Sequence, residues 1–94
     1  MWLAVGMLVT DILASHAFVL INVEIGAEGD VVKQLEANAG VREAWVVYGV
    51  YDIVAKVEAE NTERLKEIIS DNIRKLDGVR NTLTLIPIEG FERK

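Results

Sequence analysis

Chemistry in this chain is concentrated in one stretch, Val46-Val47-Tyr48-Gly49-Val50-Tyr51-Asp52-Ile53-Val54. A glycine between two β-branched runs predicts a tight turn, because glycine accepts positive φ without steric penalty. Turn amides outside a ladder can receive a small anion, while the Asp52 carboxylate can receive an ammonium. Together they suit the two charged ends of an amino acid. Tyr51 adjoins Asp52, and Thr82 and Thr84 in the last apolar run offer a second polar contact from the same or a neighbouring subunit. The plainer alternative has Asp52 bonding a nearby turn amide and nothing more.

Elsewhere the catalytic inventory is thin. His16 is the single histidine and stands just before an apolar run, where a solvated or locally bonded side chain is the ordinary outcome. No Gly-x-Gly-x-x-Gly, Walker or His/carboxylate metal spacing occurs. The chain has no cysteine, which removes disulfides, thiol nucleophiles and zinc–thiolate sites at once and fits a reducing, cytoplasmic setting. No catalytic residue, cofactor or metal is therefore expected, and the chain reads as a non-enzyme. One enzymatic alternative stands beside this reading: a dimeric, cofactor-free monooxygenase in which His16, Asn22 and Trp45 line a cavity between sheet and helices.

Six elements must position the Gly49 stretch. Residues 17–24 are β-branched and apolar and stop at Gly26, which predicts a strand. In residues 28–38, Val31, Val32 and Leu35 recur at helical spacing, with Glu28 and Asp30 favourable at the N-terminus and Gly40 as a stop. Residues 41–48 and 51–59 predict two strands joined through Gly49-Val50. A second helix is predicted over residues 62–76, with Asn61 as N-cap and Leu65, Ile68, Ile69, Ile73 and Leu76 as its apolar stripe. Residues 79–89 predict the last strand, with Pro87 near its end. The order β-α-β-β-α-β is the split βαβ arrangement, which makes the fold class α+β and ferredoxin-like: a four-stranded antiparallel sheet with two helices on one face.

Two helices cover only one face of such a sheet, so a monomer should alternate cleanly between apolar and polar. It does not. Phe18 and Leu20 oppose Val19, Ile21 and Val23; Trp45 and Val47 oppose Ala44, Val46 and Tyr48; Ile86 and Ile88 oppose Leu83 and Leu85. A wet second face would forfeit roughly 25 cal/mol per Å² of apolar area. Dimerisation through the sheet is the expected remedy.

Charge limits the partners. The formal net charge is −5, and the ten basic residues are scattered along the chain, with Arg93-Lys94 as a terminal basic pair. Nucleic-acid binding needs a basic patch, so no direct contact with nucleic acid is expected. Residues 1–14 are strongly apolar but contain Asp11, and the run falls short of the roughly 20 residues a membrane span needs. A secretory signal carries an early positive charge, whereas the first basic residue here is Lys33. Residues 1–16 are thus expected to form an N-terminal arm docked on a subunit, followed by one ligand-binding and oligomerisation domain over 17–94, with no membrane contact.

The stretch Tyr48-Gly49-Val50-Tyr51-Asp52, with Val41-Arg42-Glu43-Ala44 before it and Asn81-Thr82-Leu83-Thr84 in the last strand, resembles the effector domain of Lrp/AsnC-type transcriptional regulators. That domain is the RAM module, for regulation of amino-acid metabolism, and the resemblance runs from about Ala17 to Glu89. It implies amino acids bound between dimers, which suits the candidate residues Gly49, Tyr51, Asp52, Thr82 and Thr84. It also implies dimers that assemble into octamers or decamers, and modulation of transcription with full-length Lrp/AsnC-type regulators. Those regulators carry a helix-turn-helix, for which residues 1–16 are too short and insufficiently basic, so the chain resembles the stand-alone form. An ACT-like amino-acid-binding domain shares the element order and would place its ligand at the loop of residues 26–29.

Overall fold

The computed structural model describes residues 15–93. Strand β1 (Ser15–Val23) leads into helix α1 (Glu28–Glu36), then strands β2 (Val41–Val46) and β3 (Ile53–Ala59). Helix α2 (Thr62–Glu67) runs on through a wider stretch (Ile68–Ile73) into strand β4 (Val79–Leu85). The four strands form one antiparallel sheet in the order β2-β3-β1-β4. This is the expected ferredoxin-like α+β fold, with β1 and β3 central.

Register explains the core. Ile21 pairs with Ile53, Val19 with Ala55 and Ala17 with Val57, so these six side chains share one face, and all are buried. Against that face pack Val31 and Leu35 of α1 and Leu65, Ile68, Ile69 and Ile73 of α2 and its continuation. No polar or charged side chain is buried among the described residues. Asn61 caps α2 as its sequence foretells: its side-chain oxygen accepts the Arg64 amide hydrogen at 2.8 Å. Glu28 and Asp30 occupy the first turn of α1.

Several boundaries differ from expectation, each for a physical reason. The second helix does not continue regularly to residue 76. Its later turns widen, with the Arg74 amide donating to the Ile69 carbonyl at 3.0 Å, which keeps Ile68 and Ile73, five residues apart, on the core side. Strand β4 ends at Leu85 rather than 89, because Pro87 has no N–H to give the ladder. The predicted two-residue turn at Gly49-Val50 is a six-residue loop, closed by the Val47 amide donating to the Asp52 carbonyl at 2.9 Å. Val47, Tyr48, Ile86 and Ile88 therefore lie outside the strands and count for neither face.

The second face is nevertheless apolar. Phe18, Leu20, Val54, Leu83, Leu85 and Trp45 alternate with the buried set, and Leu83 and Trp45 are 44% and 63% exposed. His16, Asn22 and Trp45 also belong to this open side, not to a space between sheet and helices, so the monooxygenase cavity has no counterpart in the protomer. Strand β1 begins at Ser15, so Ser15 and His16 are strand residues rather than arm. The remainder of the arm, residues 1–14, lies outside the described residues. Within the described residues, no helix is long and apolar enough to cross a membrane.

Candidate functional site

The β2–β3 loop sits at the end of the sheet where β1 leaves and β4 enters. Pairing of β1 with β3 stops at Ile21↔Ile53. Asp52 then takes over. Its amide donates to the Ile21 carbonyl at 3.0 Å, and its carboxylate Oδ2 accepts the Val23 amide hydrogen at 2.9 Å. A side-chain oxygen thus stands where the next backbone carbonyl of β3 would have been. On the other edge of β1 the register with β4 shifts between Asn22 and Val23, leaving Arg80 without a partner. Nearby, the Asn22 amide group donates to the Asn81 side-chain oxygen at 3.1 Å.

Above this clamp the loop is open. Gly49 has φ +145°, a backbone conformation that side chains disfavour, although a Cβ there would meet nothing within 4 Å. Tyr48 and Val50 are fully or nearly fully exposed, while Tyr51 and Asp52 are half-buried. The amides of residues 48–51 donate no backbone hydrogen bond within the described residues. Such a loop offers donors to an anion beside a fixed carboxylate.

Thr82 and Thr84 are not part of this cluster in one protomer. They pair with Ile21 and Val19, which places them on the helix face of the edge strand β4, half-buried. Strand β1 lies between them and Asp52, a separation of about 10 Å at ordinary strand spacing. Among the described residues, surface grooves lie beside α1 and the β2 edge, between the end of β4 and the start of β1, and between α1 and the end of the second helix. None is lined by Gly49, Tyr51, Asp52, Thr82 or Thr84. No group of three metal-ligating side chains occurs among the described residues. The Asp52–Val23 clamp has no sequence signal of its own, because it depends on where β3 ends relative to β1.

Residues 16–93 match the sequence family described as the Lrp/AsnC ligand binding domain. An uncharacterized HTH-type transcriptional regulator of Pyrococcus furiosus is 34% identical over 77 residues, covering 79% of this chain and 51% of that protein. The chain spans about half the length of the curated regulators it matches. A shorter match, 41% identical over 59 residues, covers 63% of this chain and 13% of a homocitrate synthase of Sulfurisphaera tokodaii. Among solved structures, FFRP-DM1 superposes with a TM-score of 0.76 at 39% identity, over 79% of this chain and 99% of that one. A Neisseria meningitidis transcriptional regulator, solved in complex with L-Met, has the same fold: TM-score 0.80 at 12% identity, over 99% of this chain and 63% of the regulator.

Proposed function

We propose, from the premise that this chain belongs to the Lrp/AsnC ligand-binding domain family, that it senses an amino acid at the β2–β3 loop and passes the signal on through oligomerisation. The family makes it a regulatory effector-binding module of the kind found in transcriptional regulators. The finer reading rests on one observation: the unpaired amides of residues 48–51 stand beside the Asp52 carboxylate, itself held by the Val23 amide. The amides would take the ligand carboxylate and the remaining Asp52 oxygen its ammonium. Thr82 and Thr84 lie too far away in the same protomer, so they would come from a neighbouring subunit. The site would then be complete only in an assembly, an octamer or decamer (four or five dimers, each formed through the open sheet face).

A thermal-shift screen against the common amino acids tests this, beginning with L-Met because a regulator of the same fold was solved with it. A true ligand at a hundredfold excess over Kd should stabilise the protein by about 2.7 kcal/mol. No shift with any amino acid would sink the sensing role.

The partner is a separate matter. Similarity to HTH-type regulators favours a full-length regulator of this family, acting in the cytoplasm, as the target. The homocitrate synthase match favours a second reading, in which a module of this kind serves a biosynthetic enzyme. Native mass spectrometry of the chain mixed with an HTH-type relative distinguishes them: mixed assemblies support the first, and strict self-assembly favours the second.

A further inference from the structure

At one corner of the sheet β1 outruns its neighbour. Ser15, His16 and Ala17 pair with Ala59, Glu58 and Val57 of β3, yet pairing with β4 begins only at Phe18↔Leu85. Continued register would set Pro87 opposite His16, where proline has no N–H to donate. The chain after Leu85 leaves the ladder instead, with Ile86 53%, Ile88 97% and Phe91 82% exposed. Between this departing tail and the first residues of β1 lies a groove of about 580 Å³. His16, Phe18 and Lys56 form one wall; Pro87, Ile88 and Phe91 form the other. The Arg93 guanidinium lies over the Phe91 ring, 5.0 Å from its centroid.

Residues 1–14 join the sheet at this groove, since Ser15 is the first residue of β1. They read Met-Trp-Leu-Ala-Val-Gly-Met-Leu-Val-Thr-Asp-Ile-Leu-Ala, apolar throughout except for Thr10 and Asp11. We propose that this segment turns back and fills the groove of its own chain, burying Trp2, Leu3 and Leu8 against Phe18, Ile88 and Phe91. Three facts commit the groove to this occupant. The segment is tethered at the groove's mouth, so its effective concentration there is high. At about 3.3–3.6 Å per extended residue it is long enough to double back. Its one charged side chain, Asp11, is complementary to Lys56 on the wall that also carries His16 and Phe18, whereas Glu89 and Glu92 on the tail side would repel it. The strap leaves the middle of the open face, around Leu20, Val54 and Leu83, for a second copy of the chain, and it does not depend on the amino-acid site.

Tryptophan fluorescence tests the proposal, because Trp2 and Trp45 are the only two indoles. Trp45→Phe leaves Trp2 as the reporter. Its emission should be blue-shifted and resistant to acrylamide. Ile88→Asp with Phe91→Ala should return it to the solvent value while far-UV circular dichroism is unchanged. Solvent-like Trp2 emission without tail substitutions, or burial indifferent to them, would overturn the assignment. A second measurement stands if the tail variant misfolds. The chain has no cysteine, so Leu8→Cys with Ile88→Cys can be bridged by a short bismaleimide. A bridge within one chain is expected; a bridge between two chains, or none, overturns it.

Discussion

The Asp52 carboxylate accepts the Val23 amide hydrogen at 2.9 Å, one residue beyond the point where β3 stops pairing with β1. With the Asp52 amide on the Ile21 carbonyl at 3.0 Å, one residue fastens the β2–β3 loop to the central strand through both backbone and side chain. A carboxylate has two oxygens and about four acceptor sites, so this clamp does not exhaust it. In the proposed site, stability and ligand binding would meet in the same side chain, so a test of either must separate them.

Asparagine makes the separation. Asp52→Ala should destabilise the fold by about 1–3 kcal/mol, because it strands a part-buried amide without its acceptor. Asp52→Asn keeps an acceptor oxygen for Val23 and should melt close to the unmodified protein. It loses the charge that an ammonium needs, a loss of about 1.5–3 kcal/mol, or roughly ten- to a hundredfold in affinity. Calorimetry with the ligand from the amino-acid screen decides between a clamp that also binds and a clamp alone. Equal affinity in Asp52→Asn would move the ligand elsewhere, with the loop of residues 26–29 the next place to look.

The open face predicts assembly. Leu83 pairs with Leu20 and is 44% exposed, so it contributes to the face without belonging to the core. Light scattering after size exclusion should give a dimer or a larger even-numbered ring, and Leu83→Glu should shift it to monomers with an unchanged circular dichroism spectrum. An unmodified chain that stays monomeric at micromolar concentration would remove the case for dimerisation through the sheet.

What the sequence made legible follows from which interactions are local. Alternation in β1 and the stripe Leu65-Ile68-Ile69-Ile73 announced the layers, because burial repeats at the period of the element itself. Asn61 announced its own helix, since a cap acts over three residues. The sequence marks the loop at Gly49 but not its six-residue length. Its length follows from β3 beginning only at Ile53, with Asp52 fastened to Val23, 29 residues away, and no local pattern encodes that. Thr82 and Thr84 likewise lie in the strand their alternation predicts. Their distance from the loop follows from the sheet order β2-β3-β1-β4, which separates sequence neighbours in space.

Gly40 makes a prediction about packing alone. A Cβ at this position would lie 2.6 Å from Ile68 Cδ1, and Ile68 is 4% exposed with little room to retreat. Gly40→Ala should therefore destabilise by about 1–3 kcal/mol, a fall in Tm of about 4–8 °C for each kcal/mol in a domain of this size. The β2–β3 loop is at the opposite end of β2, so ligand affinity measured below the melting range should not change. An undiminished Tm would mean that the Ile68 side chain rotates aside freely and that this corner is looser than its burial implies.

Charge predicts how the chain meets DNA. Fifteen acidic residues outnumber ten basic ones, and basic residues adjoin only in Arg74-Lys75 and the terminal Arg93-Lys94. Sequence-independent affinity for DNA comes from neutralising phosphates, and it is strongest at low salt because counterion release then favours binding most. Fluorescence anisotropy with duplex DNA at low salt is therefore the severe test, and no binding is expected at micromolar protein. The ion pairs Arg42–Glu58, Arg64–Glu67, Lys75–Asp71 and Arg80–Glu24 reinforce the expectation, since each places a carboxylate within 4 Å of a cation a phosphate would need. Tight binding that weakens steeply with salt would reveal a basic surface created by assembly, built from Arg or Lys residues that a single protomer keeps apart.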